Sequence, residues 1–214
     1  MFPHRLTMQS FFDAAQNGDI ERLREFANDN VDLDAKNDDG DTALILATIQ
    51  GHNDCVKLLV DAKASLEARG KNGSTALLCA AQIGEAECAE LLVDAKAALN
   101  AQDESEYTAV IWAASEGHSE CLQLLVDANA GLEFKNIQGD TALILAVLDG
   151  HVECVELLVD ANADVNAPDH YSRTALIVAA SDGDMECLEL LIAAKADLNS
   201  LDRYGNTPLL LAAH

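Results

Sequence analysis

Hydrophobic and polar positions along this chain form short blocks that return every 33 residues. One copy opens with a polar turn sequence at residues 37–40, followed by an apolar run from Thr42 to about Thr48. Gly51 interrupts the pattern, and in residues 53–61 apolar side chains recur three and four apart with charged ones between them. That spacing is typical of an amphipathic helix. The pattern therefore predicts two short helices in each copy.

Threonine marks the register of this repeat and precedes the first predicted helix, where it is a natural N-cap. It occurs at Thr42, Thr75, Thr108, Thr141, Thr174 and Thr207. Helices of about eight or nine residues are too short to be stable alone, because isolated helices below ~12–15 residues are marginal. A fixed period of this size therefore indicates stacked units that bury their apolar faces on one another.

Short sequence motifs in these repeats resemble those of a known repeat family. They stand as Thr75-Ala76-Leu77-Leu78, Ala80-Ala81, Gly117-His118 and Leu157-Leu158, and Thr207-Pro208-Leu209 is the only copy that keeps the family's proline. These motifs are similar to the signature of the ankyrin repeat, and the similarity extends over residues 10–214. The resemblance implies an all-α ankyrin-repeat solenoid of stacked antiparallel helix pairs with projecting β-turn or hairpin loops. It also implies that the chain binds other proteins.

Two positions depart from the ankyrin pattern. The family's histidine after Thr-Pro-Leu is replaced by Ile45, Leu78, Ile111, Ile144, Ile177 and Leu210, so we expect apolar packing to replace its hydrogen bond. The glycine after the second helix, which the family holds in a left-handed conformation, is replaced by Lys63, Lys96, Asn129, Asn162 and Lys195. Lysine tolerates that conformation less well than asparagine, at a cost of roughly 1 kcal/mol.

The repeat register divides the chain into predicted units. These are a tail at 1–9, a capping repeat at 10–36, full repeats at 37–69, 70–102, 103–135, 136–168 and 169–201, and a truncated repeat at 202–214. In the capping repeat, Asp13 and Arg22 stand where the interior repeats have apolar and cysteine residues, as a solvent-facing cap requires. Because the sequence stops inside a first helix, we expect it to belong to a longer array or protein.

Composition and charge narrow the class of partner. Apolar residues make up 50% of the chain and aromatic ones 4%, which favours a thin aliphatic core. The net charge is −24, and residues 137–169 carry seven acids but no Lys or Arg. Such a field repels nucleic acid and anionic membranes, so we expect a protein partner with a basic surface, and a monomeric chain. No membrane span or signal peptide is evident, which predicts an intracellular, cytoplasmic protein, with the nucleus as the alternative.

Cysteine and histidine also follow the period and do not form clusters. Cysteines at 55, 88, 121, 154 and 187 should lie about 8–10 Å apart, beyond the ~7 Å reach of a disulfide, and are predicted to be buried free thiols in a reducing compartment. His52, His118 and His151 occur one per repeat and are interpreted as structural. Cys79 could lie near Cys88, but zinc-site spacing is absent.

Signatures of catalysis are missing as well. The sequence has no Gly-rich phosphate loop, no G-x-S-x-G and no H-E-x-x-H. We therefore expect no enzyme activity, no cofactor and no metal.

Partner-binding residues are predicted from the family resemblance, which implies that variable positions lie at the turn tips and at the ends of the first helices, on the concave side. They are Asp41, Ile49, Lys71, Ile83, Tyr107, Trp112, Glu116, Ile137, Leu148, Asp149, Tyr171, Arg173 and Tyr204. Tyrosine is favoured because Tyr and Trp dominate binding hot spots. Trp112 occupies the register of Leu46, so core packing is its alternative role.

Acidic residues repeat along one side of the second helices, where they form either a solvated convex face or an acidic ridge that attracts a basic partner. Three functions fit these patterns. The first is a non-enzymatic protein-interaction module that uses its concave face. The second is a targeting or regulatory segment of a larger enzyme or effector, and the third is a spacer.

Overall fold

The computed structural model describes residues 8–29 and 31–213, which form thirteen α-helices in two stacked layers. The inner layer contains the first helix of each repeat: α1 (Met8–Asn17), α3 (Ala43–Ile49), α5 (Ala76–Ile83), α7 (Ala109–Ser115), α9 (Ala142–Leu148), α11 (Ala175–Asp182) and α13 (Pro208–Leu211). The outer layer contains α2 (Ile20–Asn28), α4 (Asn53–Asp61), α6 (Ala86–Asp94), α8 (Ser119–Asp127), α10 (Val152–Asp160) and α12 (Met185–Ala193). Helices α1 to α12 contact the other helix of their pair and their counterparts in the adjacent repeats, and α13 contacts α11. The predicted all-α solenoid of helix pairs is confirmed.

The connections between repeats are turns. An isolated antiparallel bridge joins Lys36 to Thr42, and a single 3₁₀ turn spans Lys71–Gly73. The first helix begins at Met8, and the predicted tail at 1–9 lies mainly outside the described residues. No helix within the described ranges is long and apolar enough to cross a membrane.

The recurring threonines cap the inner helices as predicted. In each case the hydroxyl oxygen accepts a hydrogen bond from the backbone N–H three residues later, as Thr42 does from Ile45 and Thr141 from Ile144. The same bond recurs at Thr75, Thr108, Thr174 and Thr207. Each cap satisfies a backbone donor that the first helical turn leaves without a partner.

Apolar side chains from both layers meet in one continuous core. The isoleucine or leucine that replaces the family's histidine is buried at Ile45, Leu78, Ile111, Ile144 and Ile177, which confirms the expected apolar substitution. The exception is Leu210, which is 51% exposed at the C-terminal end of the stack. At the other end, Phe11 packs on Phe26 with ring centroids 5.3 Å apart, while Asp13 of the capping repeat faces solvent.

Left-handed residues follow five of the outer helices. The φ angles are +70° at Lys63, +71° at Lys96, +61° at Asn129, +61° at Asn162 and +64° at Lys195. The predicted left-handed conformation is confirmed. At the three lysines it costs roughly 1 kcal/mol each relative to glycine.

The three repeated histidines join neighbouring repeats. The ring nitrogen Nε2 of His52, His118 and His151 donates to the carbonyl oxygen of Gln16, Gln82 and Ser115, at 3.1, 3.1 and 3.0 Å. Each ring also lies against the glycine that follows the inner helix of the preceding repeat. A Cβ atom at Gly117, for example, would be 2.6 Å from His151 Nδ1. These contacts confirm a structural role.

All six cysteines are unpaired and buried, as predicted for the five that follow the period. Burial raises the pKa of the Cys88 thiol to about 12, with further contributions from Glu85 and Glu87. Burial and the adjacent Glu153 raise the pKa of Cys154 to about 11. These thiols stay protonated at neutral pH, and the thiolate is the reactive form.

Native protein at pH 8 is therefore expected to resist maleimide, while protein in guanidinium should react at all six thiols. The measurement is the mass shift after a short exposure. Rapid labelling of the folded protein would contradict the burial of these thiols.

Candidate partner-binding face

Backbone hydrogen bonds join the turn tips of successive repeats into a row. The N–H of Glu104 donates to the Asn72 carbonyl at 3.0 Å, and the same step recurs from Ile137 to Ser105, His170 to Gln138 and Arg203 to Tyr171, at 3.2, 3.3 and 3.0 Å. We call this row, together with the C-terminal ends of the inner helices, the turn-side face. Its side chains are held by a continuous scaffold rather than by independent loops.

A side chain at the start of each turn fixes its shape. Asp103 Oδ1 accepts the backbone N–H groups of Ser105 and Tyr107 at 2.9 and 3.0 Å. The same two-donor arrangement recurs at Asn37, Asn136, Asp169 and Asp202. Sequence analysis missed this role, although an Asn or Asp at a spacing of 33 was visible. Gly70 is the exception, and the 3₁₀ turn follows it.

An aromatic pair occupies the middle of the turn-side face. Tyr107 lies against Trp112 with ring centroids 4.3 Å apart, and Trp112 Nε1 donates to Asp103 Oδ2 at 2.9 Å. Both rings are half-buried against the core. Trp112 thus packs on the core, which is the alternative role considered for it, and its role as a partner contact stays a prediction.

Several predicted apolar residues are exposed on the same face. Ile83 is 41% exposed at the end of α5, Leu148 is 44% exposed at the end of α9, and Ile137 is 50% exposed at a turn tip. Ile49 is only half-buried at the end of α3. Three aliphatic side chains of this face are therefore partly open to solvent.

The predicted charged residues fall into two groups. Lys71, Glu116 and Asp149 are exposed, and Asp149 Oδ2 accepts a hydrogen bond from the Ser115 hydroxyl at 3.3 Å. Asp41 is engaged within the protein, because its Oδ1 accepts the Lys71 backbone N–H at 2.8 Å. Arg173 is engaged likewise, since its Nε donates to the buried Asp169 Oδ2 at 2.7 Å.

Tyr171 and Tyr204 lie at the turn tips of the last two repeats. Their exposed fractions are 45% and 79%, and the guanidinium of Arg203 lies over both rings. Sequence analysis did not select Arg203.

The outer layer presents a different surface. The repeated acids there are exposed at Asp54, Glu87, Glu120, Glu153 and Glu186. A groove of about 650 Å³ crosses α6 and α8, lined by carboxylates with Val93 and Leu124 among them. Within residues 8–29 and 31–213, no cluster of three potential metal-ligating side chains occurs.

Two glutaminases share one segment with this chain. The mitochondrial liver isoform of glutaminase from Rattus norvegicus is 43% identical over 56 residues, and that from Mus musculus is 39% identical over 56 residues. The segment is 26% of this chain and 9% of each glutaminase.

Solved structures resemble nearly the whole chain. The ankyrin repeat domain of Bcl-3, a member of the IkappaB protein family, superposes with a TM-score of 0.89 at 28% identity, over 94% of this chain and 92% of that one. The human ASB11 ankyrin repeat domain gives 0.83 at 27% identity, over 94% and 90%. An ankyrin repeat domain from Acinetobacter baumannii AYE gives 0.84 at 28% identity, over 89% and 100%.

Family profiles cover the array almost from end to end. A profile of three ankyrin repeats matches residues 11–103 and 96–169, and a profile of many ankyrin repeats matches residues 158–212. Together with the helix pairs and capped turns, these matches show that the chain belongs to the ankyrin repeat family.

Proposed function

We propose that this chain is a non-enzymatic module that binds a protein partner through its concave, turn-side face. The observation that carries the proposal is the exposure of Ile137 on a row of turns fixed by backbone hydrogen bonds and of Ile83 and Leu148 at the ends of the inner helices. Exposed apolar side chains on a rigid scaffold favour binding, because little conformational entropy is lost when the partner covers them.

Tyr107 and Leu148 are the proposed central anchors. Tyr107 is supported by Trp112 and by the backbone bond to Asp103, so its ring is oriented before a partner arrives. Leu148 ends α9 with 44% of its surface open. A few well-packed residues near the centre of an interface carry most of its binding energy.

The strongly negative charge is proposed to act mainly on the rate of approach. A net charge of −24 attracts a partner with a basic surface and repels nucleic acid and anionic lipid. The free thiols favour a reducing compartment, and we propose the cytoplasm, with the protein as a monomer.

The partner captured by affinity pull-down from native lysate provides the test of the anchors. Replacing Tyr107 or Leu148 with Ala is expected to weaken binding by about 1–3 kcal/mol. The dissociation rate of that partner should therefore rise roughly fivefold to 150-fold. Surface plasmon resonance gives the rates. Met185→Ala is the matched control, because Met185 is an exposed apolar residue on the outer layer.

Charge reversal on the outer layer separates steering from contact. Glu87→Lys, Glu120→Lys and Glu153→Lys together should slow association and reduce its salt dependence, with little effect on dissociation. If these changes abolish binding while the Tyr107 and Leu148 variants bind normally, the outer acidic face is the site and the proposal is wrong.

A second candidate is a targeting or regulatory segment of a larger enzyme or effector. The observation that favours it is the similarity of one 56-residue segment to part of two glutaminases, at 43% and 39% identity. The full-length reading frame from the source transcript decides between the two, because this candidate requires a catalytic domain in the same polypeptide.

A further inference from the structure

Arginine and tyrosine side chains form a cluster at the turn tips of the last two repeats. The Arg203 guanidinium lies 4.6 Å from the ring centroid of Tyr171 and 5.5 Å from that of Tyr204. The Arg203 backbone N–H is fixed by the Tyr171 carbonyl. These residues, with Arg173 and Asp202, line a groove of about 230 Å³. We call them the Arg203 cluster.

Within the cluster, the Arg203 guanidinium has no carboxylate partner within 4 Å in the described part of the chain. Among the described residues the ion pairs are Arg24 with Glu21 and Arg173 with Asp169, so Arg173 is already paired and Arg203 is not. Asp202 also lines the groove. Its carboxylate does not pair with Arg203 and instead accepts hydrogen bonds from the backbone N–H groups of Tyr204 and Asn206 and from the Asn206 side-chain amide. Stacking on tyrosine faces holds the guanidinium in place while its N–H edge stays available.

Arg203 differs in sign of charge from most of the exposed charged residues of the turn-side face. The exposed turn tips carry Asp38 and Asp39 in the first full repeat, Lys71 in the second, and Glu104 and Glu106 in the third. Glu116, Asp149 and Asp182 lie at the ends of the inner helices. The face is therefore mostly acidic, with an exposed lysine in the second full repeat and an available guanidinium near its C-terminal end.

We infer that the Arg203 cluster binds an acidic side chain, Asp or Glu, of the protein partner and thereby sets the direction in which the partner lies along the array. This inference rests on the proposed function. The rest of the partner's contact surface is basic and apolar, because it faces the carboxylates and aliphatic residues of the preceding repeats. A guanidinium pairs with a carboxylate through two parallel hydrogen bonds.

A carboxylate fits this cluster better than a phosphate. One unpaired guanidinium balances a single negative charge, whereas a phosphorylated side chain carries about −1.5 to −2 at neutral pH. The excess would face a protein of net charge −24. The expected ligand is therefore a glutamate or aspartate in an otherwise basic segment.

Peptide display on the immobilised full chain tests this inference. We expect the selected peptides to be basic and apolar, with an acid near one end, and we expect selection on the Arg203→Gln variant to lose that acid and keep the rest. Arg24→Gln is the matched control, because Arg24 is an exposed arginine on the outer layer at the other end of the array. Equal melting temperatures show that each variant remains folded.

A synthetic peptide from the selection then gives the size of the effect. Changing its acid to Gln should weaken binding to the parent chain by about threefold to fivefold, as expected for a solvent-exposed ion pair, and should have no effect on Arg203→Gln. Replacing the acid with phosphoserine should give no gain in affinity. A tenfold gain would overturn the assignment to a carboxylate.

Other outcomes separate the two proposals. If peptides lose affinity for Leu148→Ala but select the same acid on Arg203→Gln, the Arg203 inference is wrong and the proposed function stands. If neither the display nor the pull-down yields binding to the turn-side face, the proposed function is wrong, and this inference is overturned with it.

Discussion

Replacing Asp103 with Ala is expected to lower the free energy of unfolding by about 2–3 kcal/mol, because it removes the acceptor for three partly buried donors. Those donors are the backbone N–H groups of Ser105 and Tyr107 and the Nε1 of Trp112. Each buried donor left without a partner costs about 1–3 kcal/mol, less where water can reach it. Urea denaturation followed by fluorescence measures the change, since Trp112 is the single tryptophan of the chain.

Two variants of the same turn provide controls for Asp103→Ala. Asp103→Asn keeps the oxygen that accepts both backbone N–H groups, so it should lose less stability than Asp103→Ala. Glu104→Ala removes an exposed carboxylate from the turn tip and should change stability by less than about 0.5 kcal/mol. If Asp103→Ala is as stable as Glu104→Ala, the turn does not depend on this side chain.

Replacing Gly117 with Ala is expected to cost about 2–3 kcal/mol, whereas Gly150→Ala should cost about 1 kcal/mol. The two glycines occupy equivalent positions with φ of +75° and +72°, so a side chain strains the backbone equally at both. A Cβ at Gly117 would lie 2.6 Å from the ring of His151, while a Cβ at Gly150 would meet nothing within 4 Å. The excess at Gly117 arises because the ring must move and lose its bond to the Ser115 carbonyl.

A double-mutant cycle isolates this contact. In a His151→Ala background, Gly117→Ala should cost no more than Gly150→Ala, because the ring that obstructs the new methyl group is gone. The midpoints of urea denaturation give the comparison. Equal costs for the two glycine variants in the parent chain would show that the histidine does not restrain the preceding repeat.

The helix pairs could be predicted from the sequence because their causes are local. The apolar residues three and four apart that predicted a helix at residues 53–61 form the amphipathic face of α4, which spans Asn53–Asp61. The threonine at the start of each inner helix caps it with a bond that reaches only three residues along the chain. Left-handed residues after the outer helices were likewise predictable from the family resemblance and are found at Lys63 and Lys96.

The candidate binding residues were less predictable, because their surroundings depend on contacts that the repeat pattern does not encode. Arg173 was selected as a partner contact, yet it pairs with Asp169 four residues away. Tyr107 was selected from its turn position, and only the structure shows that Trp112 covers one side of its ring. Arg203 was not selected, since its position over Tyr171 depends on how one turn stacks on the next.

The backbone bonds between turn tips separate the geometry of the binding surface from its chemistry. The four N–H groups that donate belong to Glu104, Ile137, His170 and Arg203, and the four carbonyls that accept belong to Asn72, Ser105, Gln138 and Tyr171. These eight residues are of eight different types, and a peptide group bonds in the same way whatever side chain it carries. Residues at the turn tips can therefore be exchanged to recognise a new partner, while the backbone bonds keep the spacing between successive tips constant.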